Sequence, residues 1–373
     1  MTALRWQLDG AEGAPPLVLL NSIGATGEMW TPLMAPLAER FRVIRIDHAG
    51  HGLSPAAATR DRPAGLADLA ADVVAVLDEL GLTRVDLAGL SIGGMLGMWL
   101  GVHRPERIGR LALLCTSAYL GPHYTDRARA ARADGMAEIA DGTVQRWLTA
   151  GVRERDPELV ERARAMVAGV DAESYAQLCE AIATMDLRPE LGRIAAPTLV
   201  IAGDQDAAAP PEMGRVIAEG IAGARLEVVG PAAHVATFER PGAIAQLLLT
   251  HFGARGRGET TRRDVLGDAH VDRSAASASE FTAPFQDFIT RYAWGEVWTR
   301  PGLARRERSI ATLAGLVSIG AEHELGLHVR AALRNGLTRD EIAEVLLHSA
   351  VYAGVPRANR AFAIADEILR APG

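Results

Sequence analysis

The chain has 373 residues, 49% apolar and 23% charged, which excludes a disordered or fibrous polypeptide and leaves room for about two domains. Lys and Arg number 39 against 46 Asp and Glu, and the net charge of −7 excludes a nucleic-acid partner, because phosphate binding needs a concentrated basic face. Two cysteines, Cys115 and Cys179, are too few for a disulfide framework, and no CxxC occurs.

The N-terminal text MTALRWQLDGAEG lacks a basic segment followed by an apolar one, so no secretion signal is expected. No uncharged apolar run approaches the about 18 residues that a membrane span needs. A cytoplasmic protein that meets no membrane is the expectation.

From Pro16 to about Cys115, short apolar runs alternate with helical patterns. PLVLLN, RVIRID, RVDLAGL and RLALLC read as strands, each followed by turn residues and an amphipathic stretch such as LADLAADVVAVLDELG. The alternation predicts a mostly parallel sheet covered by helices on both faces. Cys115 closes one apolar run and reads as a small buried hydrophobe. Residues 119–191 are rich in Arg, Ala and Glu, helical in period and without a convincing strand, so they are expected to form a helical cap between two parts of the sheet. The sheet then resumes with PTLVIAGDQD and RLEVVG. Around HFGARGRGETTRRD the periodicity ends, with glycines at 253, 256 and 258 among charges, and a boundary is placed there, between domains 1–255 and 256–373. Everything beyond reads as helix, giving an all-α second domain. Thr338 followed by Glu341 predicts a capping box, and Gly336 suits the end of the preceding helix. The run Arg305, Arg306, Arg308 is interrupted by Glu307 and reads as a solvated helix face.

GLSIGG places Ser91 at the centre of a Gly-x-Ser-x-Gly turn between a strand and a helix. Such a turn strains the serine and admits only residues without side chains at Gly89 and Gly93. Asp206 follows the strand TLVIAG, and His234 lies in a loop past LEVVG. A serine hydroxyl is a poor nucleophile near neutral pH without a base; His234 would take its proton, and Asp206 would hold the imidazole in the right tautomer. Asp204 competes for the acid role, but it follows Gly203 directly and reads better as a turn stabiliser. The amides of Ile92 and Ile23 are the expected oxyanion donors. His48 and His51, in DHAGHGLS, read as structural.

On NSIGATGEMW, DHAGHGLS, GLSIGGMLG, GDQDAAAP and AAHVATFERP, residues 1 to about 253 resemble the α/β-hydrolases, and among them the 3-oxoadipate enol-lactonases. The resemblance implies an α/β hydrolase fold with a helical cap. It also implies that Arg146 and Trp147 in the cap, together with Ser22, line the substrate site.

Residues 258–373 resemble 4-carboxymuconolactone decarboxylase through RRDVLGDAHVDRS, FQDFITRYAWGEVWTRPGL, HELGLHVRAALRNGLTRDEI and EVLLHSAVYAGVPRANRAF. The same helical fold serves peroxidase-type proteins that use a CxxC seven and four residues before the histidine matching His328; Ala321 and Glu324 stand there, which excludes thiol redox chemistry. In 4-carboxymuconolactone the carboxylate-bearing carbon is conjugated to the lactone carbonyl, so the substrate carries its own electron sink. The protein need only hold carboxylates, stabilise an oxyanion and deliver a proton, and no cofactor or metal is expected. His328 and His348 are the candidate proton donors, with Glu307 orienting one of them and Arg330 holding a carboxylate. His323 projects about 140° from His328 on a helix and is not expected to share its site. The resembling decarboxylases tend to have Asn-Arg-Pro before this helix and an arginine inside it, where this chain has Gly320, Ala321, Glu322 and Gly326.

Together the two resemblances predict a bifunctional enzyme of protocatechuate degradation by the β-ketoadipate route, acting on small dicarboxylate lactones. Decarboxylases of this type form rings, so a homo-oligomer through the helical domain is expected. Two alternatives remain open: a helical half that serves only assembly, and a hydrolase of unrelated esters or lactones.

Overall fold

A computed structural model describes residues 4–57 and 62–370; residues 1–3, which begin the stretch read above for a secretion signal, lie outside the described residues, as do 58–61 and 371–373. The chain divides into two compact units, Met1–Leu249 and Thr250–Gly373.

The first unit is built on a seven-stranded sheet of order β1-β3-β2-β4-β5-β6-β7. Its strands are β1 (Arg5–Asp9), β2 (Pro16–Leu20), β3 (Arg42–Asp47), β4 (Val85–Leu90), β5 (Ile108–Leu114), β6 (Thr198–Gly203) and β7 (Arg225–Val229). All neighbours run parallel except β1, which is antiparallel to β3. Central strands buried on both faces must be apolar throughout, and TLVIAG of β6 is buried at every residue. β1 was invisible in the sequence because RWQLD lies half exposed at the sheet edge and buries too little to show a pattern. Between β5 and β6 the chain leaves the sheet for five cap helices, Tyr124–Asp134, Met136–Trp147, Ala150–Arg155, Pro157–Ala168 and Ala172–Thr184. Thr149, Asp156 and Asp171 each accept an amide from the first turn of the helix they precede, so the cap's breaks are written in its capping residues.

The second unit is helical among its described residues, from Ala254–Leu266 to Val355–Arg370. The glycine-rich, charged stretch where the sequence periodicity ends folds as the helix Ala254–Leu266. Gly253 breaks the preceding helix in an extended conformation, and the new helix buries Gly258, Thr261, Arg262, Val265 and Leu266. Charge density hid this face. Ala283–Ile289 continues into a π-helical stretch, Thr290–Val297. The helices Arg305–Ile319, Glu322–Arg334, Arg339–Ala353 and Val355–Arg370 enclose one core of Leu313, Val317, Leu325, Val329, Ile342 and Leu346. A smaller core joins Val265, Leu266, Val271, Trp294 and Ala331. Thr338 and Glu341 exchange both capping-box hydrogen bonds, at 2.8 and 3.2 Å. A Cβ on Gly326 would lie 3.1 Å from Ile368 Cδ1, so its helix passes close to the side chains of the last one.

Candidate active sites

Ser91 joins β4 to the helix Ile92–His103 at φ 56° and ψ −117°, a left-handed conformation rare outside glycine. The turn is tight enough that a Cβ on Gly89 would meet Gly93 O at 2.1 Å, and one on Gly93 would meet Leu20 O at 2.3 Å. The backbone is pinned by Ser91 N donating to Leu114 O at 2.9 Å and Thr116 Oγ1 donating to Ser91 O at 2.6 Å. A strained serine persists because its surroundings over-determine it.

His234 Nδ1 lies 2.9 Å from Asp206 Oδ2, and both side chains are buried. Asp206 Oδ1 accepts from the amides of Ala208 and Ala209 at 2.8 and 3.0 Å, which fixes the carboxylate in place. With Nδ1 turned to Asp206, Nε2 is the nitrogen left to take a proton. Asp204 accepts the amide of Ala232 at 2.9 Å instead and braces the loop that carries His234.

The loop after β2 is set by a buried polar network. Asn21 Nδ2 donates to Ile46 O and Asp47 Oδ1 at 3.1 and 3.0 Å, and Trp30 Nε1 donates to Asn21 Oδ1 at 2.9 Å. Ser22 N donates to Met29 Sδ at 3.4 Å and Gly24 N to His51 Nε2 at 3.1 Å, on either side of the Ile23 amide. Ile92 is the first residue of its helix, where amides have no intrahelical acceptor. His51 thus accepts through Nε2 and donates through Nδ1 to Ala49 O at 2.9 Å, a neutral ring that positions the loop. Burial, reinforced by His48, lowers its pKa to about 3, and burial lowers that of His48 as well. Groups depressed in the folded state give stability that is whole above their unfolded pKa of about 6.5 and is lost as pH falls through the folded value. Urea unfolding of the chain is therefore expected to require less denaturant from pH 6.5 down toward 3, with a shallower fall in His51→Gln; equal slopes in the two proteins would refute this.

In the cap, Trp147 is buried and its carbonyl accepts the amide of Val235, next to His234, at 3.0 Å. Glu239 ties the same two segments, accepting from Thr149 N and Oγ1 at 2.9 and 2.7 Å and from Ala233 N at 2.5 Å. Arg146 lines a cavity of about 410 Å³ with Thr149, Arg153, Gln205, Ala207 and Ala233, beside the acid and histidine loops. Ser22 is fully buried and its hydroxyl has no hydrogen-bond partner. Cys115 and Cys179 are buried, and burial pushes both thiols up, away from reactivity.

In the second unit, His328 is half-buried and lies flat against Trp294, ring centroids 6.5 Å apart and planes 7° apart. Burial lowers its pKa; Glu324 works against that shift, and His270 adds to it by repulsion. His270 is lowered first by burial, then by Arg262, Arg273, Arg330 and His323. Arg262 is itself buried, held by Gln286 Oε1 at 3.0 Å, Thr290 Oγ1 at 3.3 Å and Ser274 Oγ at 3.1 Å, while its Nε has no partner. The structure therefore groups His328 with His270 and with a set of guanidinium groups. Arg330 and His323 both act on His270, although His323 and His328 leave their helix in different directions. Glu307 Oε2 accepts the Ala304 amide at 2.7 Å and closes a helix N-terminus. His348 is exposed beside Tyr352, ring centroids 5.2 Å apart. No hydrogen bond, ion pair or ring contact among the described residues joins Glu307 or His348 to His328. His270 and Arg262 were missed in the sequence because neither belongs to a spacing with a chemical meaning of its own; GDAHVDRS was visible only as text. Among the described residues, no group of three or more His, Cys, Asp or Glu side chains could hold a metal ion, and no helix is long and apolar enough to cross a membrane.

Residues 15–241 match the α/β hydrolase fold family, and residues 283–367 the carboxymuconolactone decarboxylase family. The chain is 37% identical to 3-oxoadipate enol-lactonase 2 of Acinetobacter baylyi over 243 residues, 65% of this chain and 90% of that protein. It is 47% identical to 4-carboxymuconolactone decarboxylase of the same organism over 114 residues, 31% of this chain and 85% of that protein. A solved structure, the enol-lactonase of Burkholderia xenovorans, matches with a TM-score of 0.63 at 39% identity, covering 66% of this chain and 95% of that one. The chain is a fusion whose N-terminal part belongs to the α/β hydrolase fold family and whose C-terminal part belongs to the carboxymuconolactone decarboxylase family.

Proposed function

We propose that the chain converts 4-carboxymuconolactone to 3-oxoadipate in two steps. The observation that carries this is chemical succession: one polypeptide unites relatives of a decarboxylase and of an enol-lactonase, and the product of the first is the substrate of the second.

In the second unit, the carbon–carboxylate bond breaks and its electron pair passes through the conjugated double bond to the lactone carbonyl. Carbon dioxide leaves, and the furan-like oxyanion collects a proton at the ring carbon beside the carbonyl. His328 donates that proton, a task that a positioned imidazole suits. Arg330, Arg262 and His270 supply the positive charge that holds carboxylates and the developing oxyanion. Glu307 and His348 have lesser claims, one being engaged as a helix cap and the other lying exposed.

In the first unit, Ser91 attacks the enol-lactone carbonyl as His234 takes its proton and Asp206 keeps Nδ1 protonated. The amides of Ile23 and Ile92 receive the oxyanion. The tetrahedral intermediate expels an enolate, a better leaving group than an alkoxide, which becomes the ketone by taking up the proton His234 had accepted; water then frees the acyl-enzyme. Self-association through the helical part is part of this reading, supported by the exposed aromatic row Phe281, Phe285, Phe288 and Tyr292. The purified chain given 4-carboxymuconolactone is expected to release carbon dioxide and 3-oxoadipate in equal amounts. If that lactone is untouched while simple esters are cleaved, the reading fails.

A further inference from the structure

The cap holds positive charge that no carboxylate among the described residues neutralises. Arg127 Nη2 and Arg146 Nη2 both donate to the hydroxyl of Thr143, at 3.0 and 3.3 Å, and that hydroxyl donates to Ile139 O at 2.8 Å. Neither guanidinium has a carboxylate partner among the described residues, and each has the other as a like-charged neighbour. Arg127 instead lies against two rings, 5.7 Å from the centroid of Tyr124 and 5.5 Å from that of Tyr175. Elsewhere in the cap, Arg132 pairs with Glu173 and Glu180, and Arg164 with Asp141.

This cluster adjoins the catalytic loop. A Cβ on Gly24, the residue after Ile23, would lie 3.5 Å from Tyr175 Cε2 and 3.6 Å from Trp147 Cζ2. Tyr175 therefore touches the oxyanion loop on one side and Arg127 on another. Its hydroxyl is fully buried without a hydrogen-bond partner, as is that of Ser22 in the same loop. Native proteins rarely leave buried hydroxyls unpaired, and that of Tyr175, whose ring lies under the Arg127 guanidinium, describes a place made for acceptor oxygens.

We infer that Arg127, with Arg146 and the hydroxyl of Tyr175, forms a subsite for the carboxylate of an acidic lactone or ester whose carbonyl sits at Ser91. The inference deepens the lactonase reading and rests on it for the lactone itself. A carboxylate would accept from two guanidinium groups and a phenol at once, and charge-assisted bonds of this kind are both strong and orienting. It would also remove the repulsion between Arg127 and Arg146. The cap thus selects substrates by charge as well as covering them.

The test compares two p-nitrophenyl esters of similar length, the hemisuccinate and the neutral butyrate, alongside the enol-lactone. Wild type is expected to favour the hemisuccinate. Arg127→Gln should lower kcat/KM for the hemisuccinate and the enol-lactone by about 100-fold, mostly through KM, and change the butyrate by less than about threefold. Arg127→Lys should recover part of the loss, and Tyr175→Phe should cost about tenfold on the acidic substrates alone. Retained butyrate hydrolysis shows that the cap is still folded. Equal losses on acidic and neutral esters, or no loss on either, would overturn the subsite. Should wild type ignore the enol-lactone yet show the charge-dependent loss on the nitrophenyl esters, the subsite stands and the lactonase reading falls; normal KM for the lactone in Arg127→Gln does the reverse.

Discussion

Ser91→Ala is expected to slow enol-lactone opening by about 10⁴- to 10⁶-fold, and to make enol-lactone accumulate when the chain is fed 4-carboxymuconolactone. The size of the effect follows from what remains. His234 and Asp206 without a nucleophile can only orient water, and the Ile23 and Ile92 amides still polarise the carbonyl, so residual catalysis comes from binding and the oxyanion donors. The substitution tests chemistry rather than folding. Ser91 is held at positive φ by its neighbours, and alanine is no more strained there than serine, whereas a Cβ at Gly89 or Gly93 would collide with backbone. Carbon dioxide release should continue at the wild-type rate, because the decarboxylation is assigned to the other unit. The two products are separable by chromatography of the reaction mixture. Unconsumed carboxymuconolactone in the serine variant would mean that the halves have been assigned wrongly, and undiminished 3-oxoadipate would mean another nucleophile.

Much of the first unit could be read from the sequence because its constraints are local. Continuous apolar runs such as TLVIAG can only be doubly covered strands, and the elbow glycines are demanded by contacts of 2.1 and 2.3 Å that no side chain survives. The pairing of His234 with Asp206 rather than Asp204 was also legible, since a residue directly after a strand's last glycine is placed to brace a turn, as Asp204 does for Ala232. The cap's carboxylate subsite was not legible. Arg127 sits in YTDRARAARAD, where one arginine looks like another until the fold pairs its neighbours with acids and leaves it facing Tyr124 and Tyr175. In the second unit the helix Ala254–Leu266 was hidden by its charges, yet one of those charges, Arg262, is buried and acts on His270. Long-range electrostatic neighbours have no sequence period. Gly326, a departure from the resembling decarboxylases, lies where its helix passes close to the side chains of the last one.

His328→Gln is expected to lower the decarboxylation rate by about 10²- to 10⁴-fold, the usual worth of a positioned proton donor, and to leave hydrolysis of supplied enol-lactone unchanged. The wild-type pH dependence distinguishes proton donation from mere packing against Trp294. Burial, with the repulsion of His270, lowers the pKa of His328 from the ordinary 6.5 and so favours the neutral imidazole in the free enzyme. The acid form is the donor, and its fraction grows as pH falls; kcat/KM for decarboxylation, which reports the free enzyme, should therefore rise on acidification with an inflection below 6.5. Substrate carboxylates entering among Arg262, His270 and Arg330 add negative charge, which favours imidazolium. The inflection in kcat, which reports the bound enzyme, should accordingly lie at higher pH than that in kcat/KM. His270→Gln removes one repulsive neighbour and should move the kcat/KM inflection of the remaining histidine upward. A decarboxylation rate that is flat from pH 5 to 8 in wild type, or one that His328→Gln leaves intact, would assign the proton to another group and return His328 to the apolar core formed by Trp294, Val265 and Ala331.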